Sequence, residues 1–337
     1  MRVLVIGGTR FLGAAVVAEA LARGDEVTTF ARGVSGEPPP GVTALHGDRE
    51  DPSALEQLRG REFDVVVDTS GYTPSVVGAS ARVLADTAAH YVFVSTINVY
   101  PDFPDQPITA ASRVWDCPPD ASQAPPELTG AGPYGYLKAG CERAAEQHFP
   151  GRSTLVRAGL LIGPRDNLGR LTYWLDRIAR GGRVAVPGPP EWELAFMDVR
   201  DLAPWMLDAG TDKHTGAYNA SGPRGMTTYG ELFGTAKAVT GSAAELVWIP
   251  EDVLVKHEVR AWSEVPLWLP PTTYPHTFDI DVRPILDAGL RVRPIAESLE
   301  ATWAWQRAAD AVGGLDGPNG LSPEREAALI TATEESA

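Results

Sequence analysis

Within its first 23 residues the chain passes from a short apolar segment, through a glycine-rich turn, into an alanine-rich helix. Arg2 to Ile6 (RVLVI) reads as a strand buried on both faces, since its apolar run is unbroken and closes on glycine. Phe11 to Arg23 carries Ala, Leu and Val at helical spacing, and Gly24 suits its C-terminal end. Between them lies Gly7-Gly8-Thr9-Arg10-Phe11-Leu12-Gly13. A strand, a glycine turn and a helix in this order form a phosphate-binding unit: Gly7 permits the tight turn, Gly13 lets the helix approach the strand, and the first helical N–H groups face a pyrophosphate. The predicted ligand is a dinucleotide, with Thr9, Phe11 and Leu12 completing its cradle.

One position departs from G-x-x-G-x-x-G, because Arg10 stands where the middle glycine would. A side chain this long must swing outward, towards the adenosine ribose and its 2′ substituent. The second predicted strand, Glu26 to Phe30, runs into Ala31-Arg32. No carboxylate is present there to bind a ribose 2′-OH, whereas the planar fork of Arg32 suits a 2′-phosphate. NADP is therefore the expected cofactor and NAD the alternative. Asp48, after the next strand, is positioned to accept from the adenine amino group. Arg49 beside it, and Ser70 with Gly71 at the end of the strand Phe63 to Asp68, complete the expected cofactor contacts.

Further strands are predicted at Phe63 to Asp68 and Tyr91 to Ser95, with helices at Ser53 to Leu58, Ser75 to Ala89 and Tyr134 to His148. Regular β/α alternation implies an α/β fold with a Rossmann-like, doubly wound parallel sheet. Residues 1–165, joined by about 196–220, are expected to form the NAD(P)-binding domain. Residues 166–195 and 221–312 are expected to form a smaller, interleaved C-terminal substrate domain, and 313–337 a peripheral or partly disordered tail with one helix near 323–332. The Pro-rich stretch 101–133 reads as a lid or a disordered connection.

The candidate catalytic residues are Thr96, Tyr134 and Lys138. Tyr134 and Lys138 are one turn apart on one helix face. An ammonium there is expected to favour the phenolate and so lower the tyrosine pKa. Thr96 follows a strand end, where its hydroxyl can hold a substrate oxygen. Tyr136 points about 160° away on the helix, given 3.6 residues per turn.

With these residues in view the chain resembles the extended short-chain dehydrogenase/reductase superfamily, in its NAD-dependent epimerase/dehydratase group. The resemblance runs from Met1 to about Gln306. It rests on Gly7 to Gly13, Asp48, the stretch Phe93-Val94-Ser95-Thr96-Ile97-Asn98-Val99-Tyr100, Tyr134 with Lys138, Val156 to Pro164, and Phe196 to Ala203. It implies that Thr96, four residues before Tyr100, is the catalytic hydroxyl. It also implies a homodimer through the helices near Ser75 to Ala89 and Tyr134 to His148. Two departures bear on chemistry. Ile97 and Asn98 replace the Asp-Glu pair that serves 4,6-dehydratases. Leu194 stands where nucleotide-sugar enzymes usually carry an arginine for the diphosphate. The Gly-Gly-Thr-Arg-Phe turn is also similar to a subgroup that includes chloroplast stem-loop RNA-binding proteins.

The expected function is NADP(H)-dependent interconversion of a ketone and a secondary alcohol on a small metabolite. The alternatives are an epimerase of a sugar-like substrate, and a non-catalytic dinucleotide-binding or RNA-associated protein. The net charge of −15 disfavours nucleic acid and anionic membranes as partners. The absence of any long apolar run, together with two cysteines unsuited to a disulfide framework, fits a cytoplasmic protein. The histidines are scattered, and no metal site is expected. The loop bearing Trp262 and Trp268 reads equally as a pocket wall or as packing.

Overall fold

A computed structural model describes residues 1–308 and 320–336. The chain divides into two compact units. The first comprises Met1–Leu161, Val199–Ser221 and Ile280–Arg291. The second comprises Ile162–Asp198, Gly222–Asp279 and Val292–Ala337.

The first unit is built on seven strands: β1 (Arg2–Ile6), β2 (Glu26–Ala31), β3 (Val42–His46), β4 (Phe63–Asp68), β5 (Ala88–Thr96), β6 (Ser153–Ala158) and β7 (Gly216–Ala220). Their order is β7-β6-β5-β4-β1-β2-β3, and every neighbouring pair is parallel. This is the doubly wound sheet expected from the β/α alternation. The chain changes direction across the sheet between β1 and β4, the place where such folds bind ligands. Register makes that edge level: Ile6 pairs with both Phe30 and Asp68, and Ala31 pairs with His46. The glycine turn, Arg32, Asp48 and Ser70-Gly71 therefore all leave the sheet at one edge.

The pleat sorts side chains between the two faces. Leu4, Ile6, Val66 and Phe93 enter a core with Val77, Ala81 and Leu84 of helix α2 (Pro74–Leu84) and Ala144 and Ala145 of helix α3 (Gly132–His148). On the opposite face, helix α1 (Phe11–Ala22) packs with α4 (Val199–Thr211), and Gly210 of α4 lies against Val65. Helix α2 ends earlier than predicted, at Leu84, because Ala88 and His90 already pair with Phe63 and Val65 as the start of β5.

The connection between β5 and α3 is irregular but held. Trp115 N donates to Val99 O at 2.9 Å, Ser75 N to Ala121 O at 3.2 Å, and Arg143 to Cys117 O at 3.0 Å. Residues 116–121 thus lie against α2 and α3, the helices expected to form a dimer contact. Cys117 and Cys141 are free and buried. No helix among the described residues is long and apolar enough to cross a membrane.

In the second unit the parallel strands Arg183–Pro187 and Glu245–Ile249 pack with helix Pro323–Ser336, while helices Arg170–Ala179, Tyr229–Thr240 and Ile295–Arg307 pack together. The expectation of a peripheral or partly disordered tail over 313–337 is corrected for residues 320–336; residues 313–319 and 337 lie outside the described residues. The helix there is docked through Glu326, which accepts from Arg177 Nε at 2.9 and 3.0 Å and from Ala185 N at 3.1 Å. Leu329 and Ile330 are buried beside it.

Losing one partner of a buried ion pair typically costs about 3 kcal/mol or more. Glu326→Ala should lower the unfolding free energy by about that amount in chemical denaturation, while the exposed Glu335→Ala should change it by less than about 0.5 kcal/mol. Equal midpoints for the two variants would contradict the docked helix.

Candidate functional site

The dinucleotide turn has the geometry its sequence requires. Gly7 has φ +103°, and a Cβ at Gly13 would lie 2.6 Å from Gly8 N, so strand and helix meet backbone to backbone. Arg10 precedes α1 in an extended conformation, and no side chain caps the first helical turn, which contains no acidic residue. The first N–H groups of an uncapped helix, with the dipole behind them, suit an anionic pyrophosphate. Thr9 and Phe11 are half-buried beside the turn, and Leu12 is buried. Arg10 and Arg32 are both exposed, at the start of α1 and the end of β2. Asp48 is exposed, with Oδ1 accepting from Glu50 N at 3.0 Å. A dinucleotide fits these residues.

Arg49 does not join that set. Its guanidinium turns inward and donates to Asp68 through two bonds of 2.8 Å and to Ser80 Oγ at 3.0 Å. Asp68 is fully buried and also accepts from Tyr91 OH at 2.7 Å and Ser70 N at 3.1 Å. Burial opposes both charges, but the pair's mutual attraction outweighs it: Asp68 stays below the usual carboxylate range and Arg49 above its ordinary value. The Arg49 guanidinium, expected at the cofactor, is engaged instead by a buried carboxylate. Ser70 and Gly71 act at this edge mainly through backbone groups: Ser70 N binds Asp68, and Gly71 O accepts from Lys138 at 2.7 Å.

Thr96 is buried at the end of β5, with Oγ1 accepting from Asn98 N and Nδ2 at 3.2 Å each. Tyr134 is 40% exposed, and Thr96 is near enough to its phenol to bear on its titration. Lys138, on the same α3 face, is buried; Nζ donates to Gly71 O at 2.7 Å and Val94 O at 2.5 Å and lies 4.2 Å from the Phe93 ring centroid. The three candidate catalytic residues therefore gather around the ends of β4 and β5.

Their electrostatics differ from the expectation. Burial pushes the Tyr134 phenol up to about 12, with the nearby Tyr72 adding to the rise and Thr96 partly offsetting it. Lys138 does not lower it. The lysine ammonium is bound instead to two carbonyls, and burial brings it down to about 8. Tyr136 faces elsewhere, edge-on to Trp115 with ring centroids 6.3 Å apart.

Sequence reasoning missed two supporting features. Gly135 packs so tightly that a Cβ there would sit 1.9 Å from Asn98 O, which brings α3 directly onto the turn after Thr96. Tyr100 OH donates to Asn219 Oδ1 at 2.7 Å and accepts from Arg157 at 2.8 Å, and Arg157 holds Glu142 of α3 at 2.7 and 2.9 Å. A charge inside an apolar strand, as in Thr-Leu-Val-Arg-Ala, signals such a partner.

Residues 3–221 match the sequence model of the NAD dependent epimerase/dehydratase family. The dTDP-6-deoxy-L-talose 4-dehydrogenase (NAD(P)(+)) of Kitasatospora kifunensis is 28% identical over 300 residues, covering 78% of this chain and 90% of that protein. Phenylcoumaran benzylic ether reductase TP7 of Nicotiana tabacum is 23% identical over 275 residues, covering 76% and 80%. The UDP-glucose 4-epimerase of Thermus thermophilus, solved in complex with NAD, superposes with TM-score 0.60 at 18% identity, covering 92% of this chain and all of that one, a likeness of fold.

The buried lysine gives a stability signature. An amine with a folded-state pKa near 8 and an unfolded value of about 10.4 binds its proton more tightly when unfolded. Its contribution to stability should rise as pH climbs from about 8 to about 10.4, and should be flat below that window. The unfolding free energy of the wild type minus that of Lys138→Met should climb over this range in denaturant titrations. A constant difference would contradict the burial of a titrating ammonium.

Proposed function

Because the chain belongs to the NAD dependent epimerase/dehydratase family of NAD(P)-dependent enzymes, we propose that it is an NADP(H)-dependent reductase or dehydrogenase interconverting a ketone and a secondary alcohol on a small metabolite. The observation that carries this reading is the buried Lys138 ammonium held on Gly71 O and Val94 O, one helical turn from Tyr134 and beside the strand end that bears Thr96, at the sheet edge that bears the dinucleotide turn.

When bound, the nicotinamide supplies or accepts a hydride. Everything else falls to this chain's residues. Tyr134, with its phenol near 12, is protonated at neutral pH, the form that donates to an alkoxide as it develops. Thr96 orients the same oxygen. Lys138 has three N–H donors and gives two to Gly71 O and Val94 O, leaving one for a ribose hydroxyl. Gly7 to Gly13 take the pyrophosphate, Asp48 the adenine, and Arg10 with Arg32 the 2′-phosphate.

A nucleotide diphosphate is the less suitable substrate. Leu194 is fully buried in a bridge to Thr227, and nearby Arg224 is engaged by Glu193 and Asp279.

Tyr134→Phe should reduce turnover by about 10²–10⁴-fold while leaving NADPH binding near wild type, because only the positioned proton is lost. Tyr136→Phe is the control and should change little. Near-wild-type turnover by Tyr134→Phe on an identified substrate would remove the mechanism. In a metabolite panel, stoichiometric NADPH consumption supports the reductase, whereas isomerisation without net cofactor change identifies an epimerase. Arg32→Ala should weaken NADPH by about 10- to 150-fold, the worth of a charge-assisted contact, and leave NADH unaffected. Equal wild-type affinity for the two cofactors would overturn the NADP assignment.

A further inference from the structure

The second unit contains an arginine whose charge is poorly met. Arg170, the first residue of helix Arg170–Ala179, is 8% exposed, and its Nε has no hydrogen-bond partner. The acidic group paired with it, Asp166, is fully buried and stands 3.9 Å from that Nε, beyond hydrogen-bonding distance, and its own Oδ2 is likewise without a partner. Folded proteins rarely leave either group in this state, and one that persists calls for a functional account. By contrast, Arg177, two turns along the same helix, is fully engaged by Glu326 and two carbonyls.

The Arg170 guanidinium carbon lies 5.3 Å from the centroid of the Trp262 ring, which is 37% exposed. The loop presenting Trp262 is fixed in an unfavourable backbone shape. Trp262 and Leu267 both occupy the left-handed region, at φ +69° and +68°. Surrounding bonds impose it: Trp262 N to Trp268 O at 3.1 Å, Trp174 Nε1 to Pro266 O at 2.7 Å, and Tyr229 OH to Leu267 O at 3.0 Å. Strain of this kind persists where the neighbours over-determine a segment, and it concentrates at ligand clamps.

We propose that Arg170 anchors a binding site in the second unit for the carboxylate of a small acid with a flat apolar body, which Trp262 covers. The planar fork matches a carboxylate's two oxygens, and the indole offers a stacking surface next to it. The Asp166 charge alongside selects a single negative charge over a dianion such as phosphate, since repulsion grows with the ligand's charge. Binding there does not require the redox chemistry proposed above.

The full chain is titrated with benzoate, with benzamide as the uncharged analogue, and with inorganic phosphate, by calorimetry and thermal melting without cofactor. Benzoate should bind saturably and at least about tenfold more tightly than either comparator, the worth of a charge-assisted bidentate contact. Arg170→Lys keeps a cation beside Asp166 and hence the fold, but lacks the fork; it should lose about tenfold in benzoate affinity. Trp262→Leu should weaken benzoate with Arg170 untouched. Equal binding of benzoate and benzamide, tighter binding of phosphate, or unchanged benzoate affinity in Arg170→Lys overturns the proposal. So does the absence of any benzoate binding by the wild type, which leaves Arg170 and Asp166 as a structural ion pair. No readout here requires turnover, so failure would leave the reductase reading untouched.

Discussion

An ionised carboxylate lies out of reach of water at the end of a central strand, and much of the first unit is arranged around it. Asp68 closes β4 with no exposed surface. Burying such a charge alone would cost several kcal/mol. Here it is met by the Arg49 fork from beyond β3, by Tyr91 of β5 and by the backbone of Ser70. Arg49 also reaches Ser80 of α2. A single carboxylate thus ties two neighbouring strands, a third connection and a helix at the edge where the site is assembled. The backbone it fixes at Ser70 leads directly into Gly71, whose carbonyl receives the Lys138 ammonium. Lys138 is thus held beside a structural charge with which it makes no hydrogen bond.

This arrangement explains which parts can be read from the sequence. Strand and helix alternation, the glycine turn and the Tyr134/Lys138 spacing are encoded in short windows, and all appear where expected. Arg49 is expected at the cofactor, whereas its guanidinium bonds a carboxylate 19 residues further on. The C-terminal helix is expected near 323–332 and present, but its docking is missed for a similar reason. Its acidic composition suggests a solvated tail, yet Glu326 finds Arg177 149 residues earlier in the chain. Periodicity places Lys138 on the correct face but not the end of its side chain, which binds the Gly71 and Val94 carbonyls. In each case the deciding partner is distant in sequence and the local pattern carries no trace of it.

The two buried arginine systems in the first unit contrast with Arg170 in the second. Arg49 and Arg157 each hold a carboxylate bidentately, and their other bonds run to hydroxyls or carbonyls. Both are architectural: each charge is met at hydrogen-bonding distance by a carboxylate, although Arg49 Nε itself has no partner. Arg170 has comparable burial, but its carboxylate stands 3.9 Å away. A carboxylate within hydrogen-bonding distance, rather than burial, separates an arginine that supports the fold from one available for recognition.

The tyrosine–lysine signature is usually treated as two fixed letters with three free ones between them. In this chain the first free letter is constrained as tightly as the fixed ones, because the Asn98 carbonyl occupies the space that any side chain at Gly135 would need. The separation of the Thr96 and Tyr134 hydroxyls is consequently gauged by main chain resting on main chain, with no adjustable rotamer in between. Mutational libraries that treat position 135 as neutral would move the gauge itself. Grafting this helix into another scaffold would likewise require carrying the Thr96–Asn98 turn along with it.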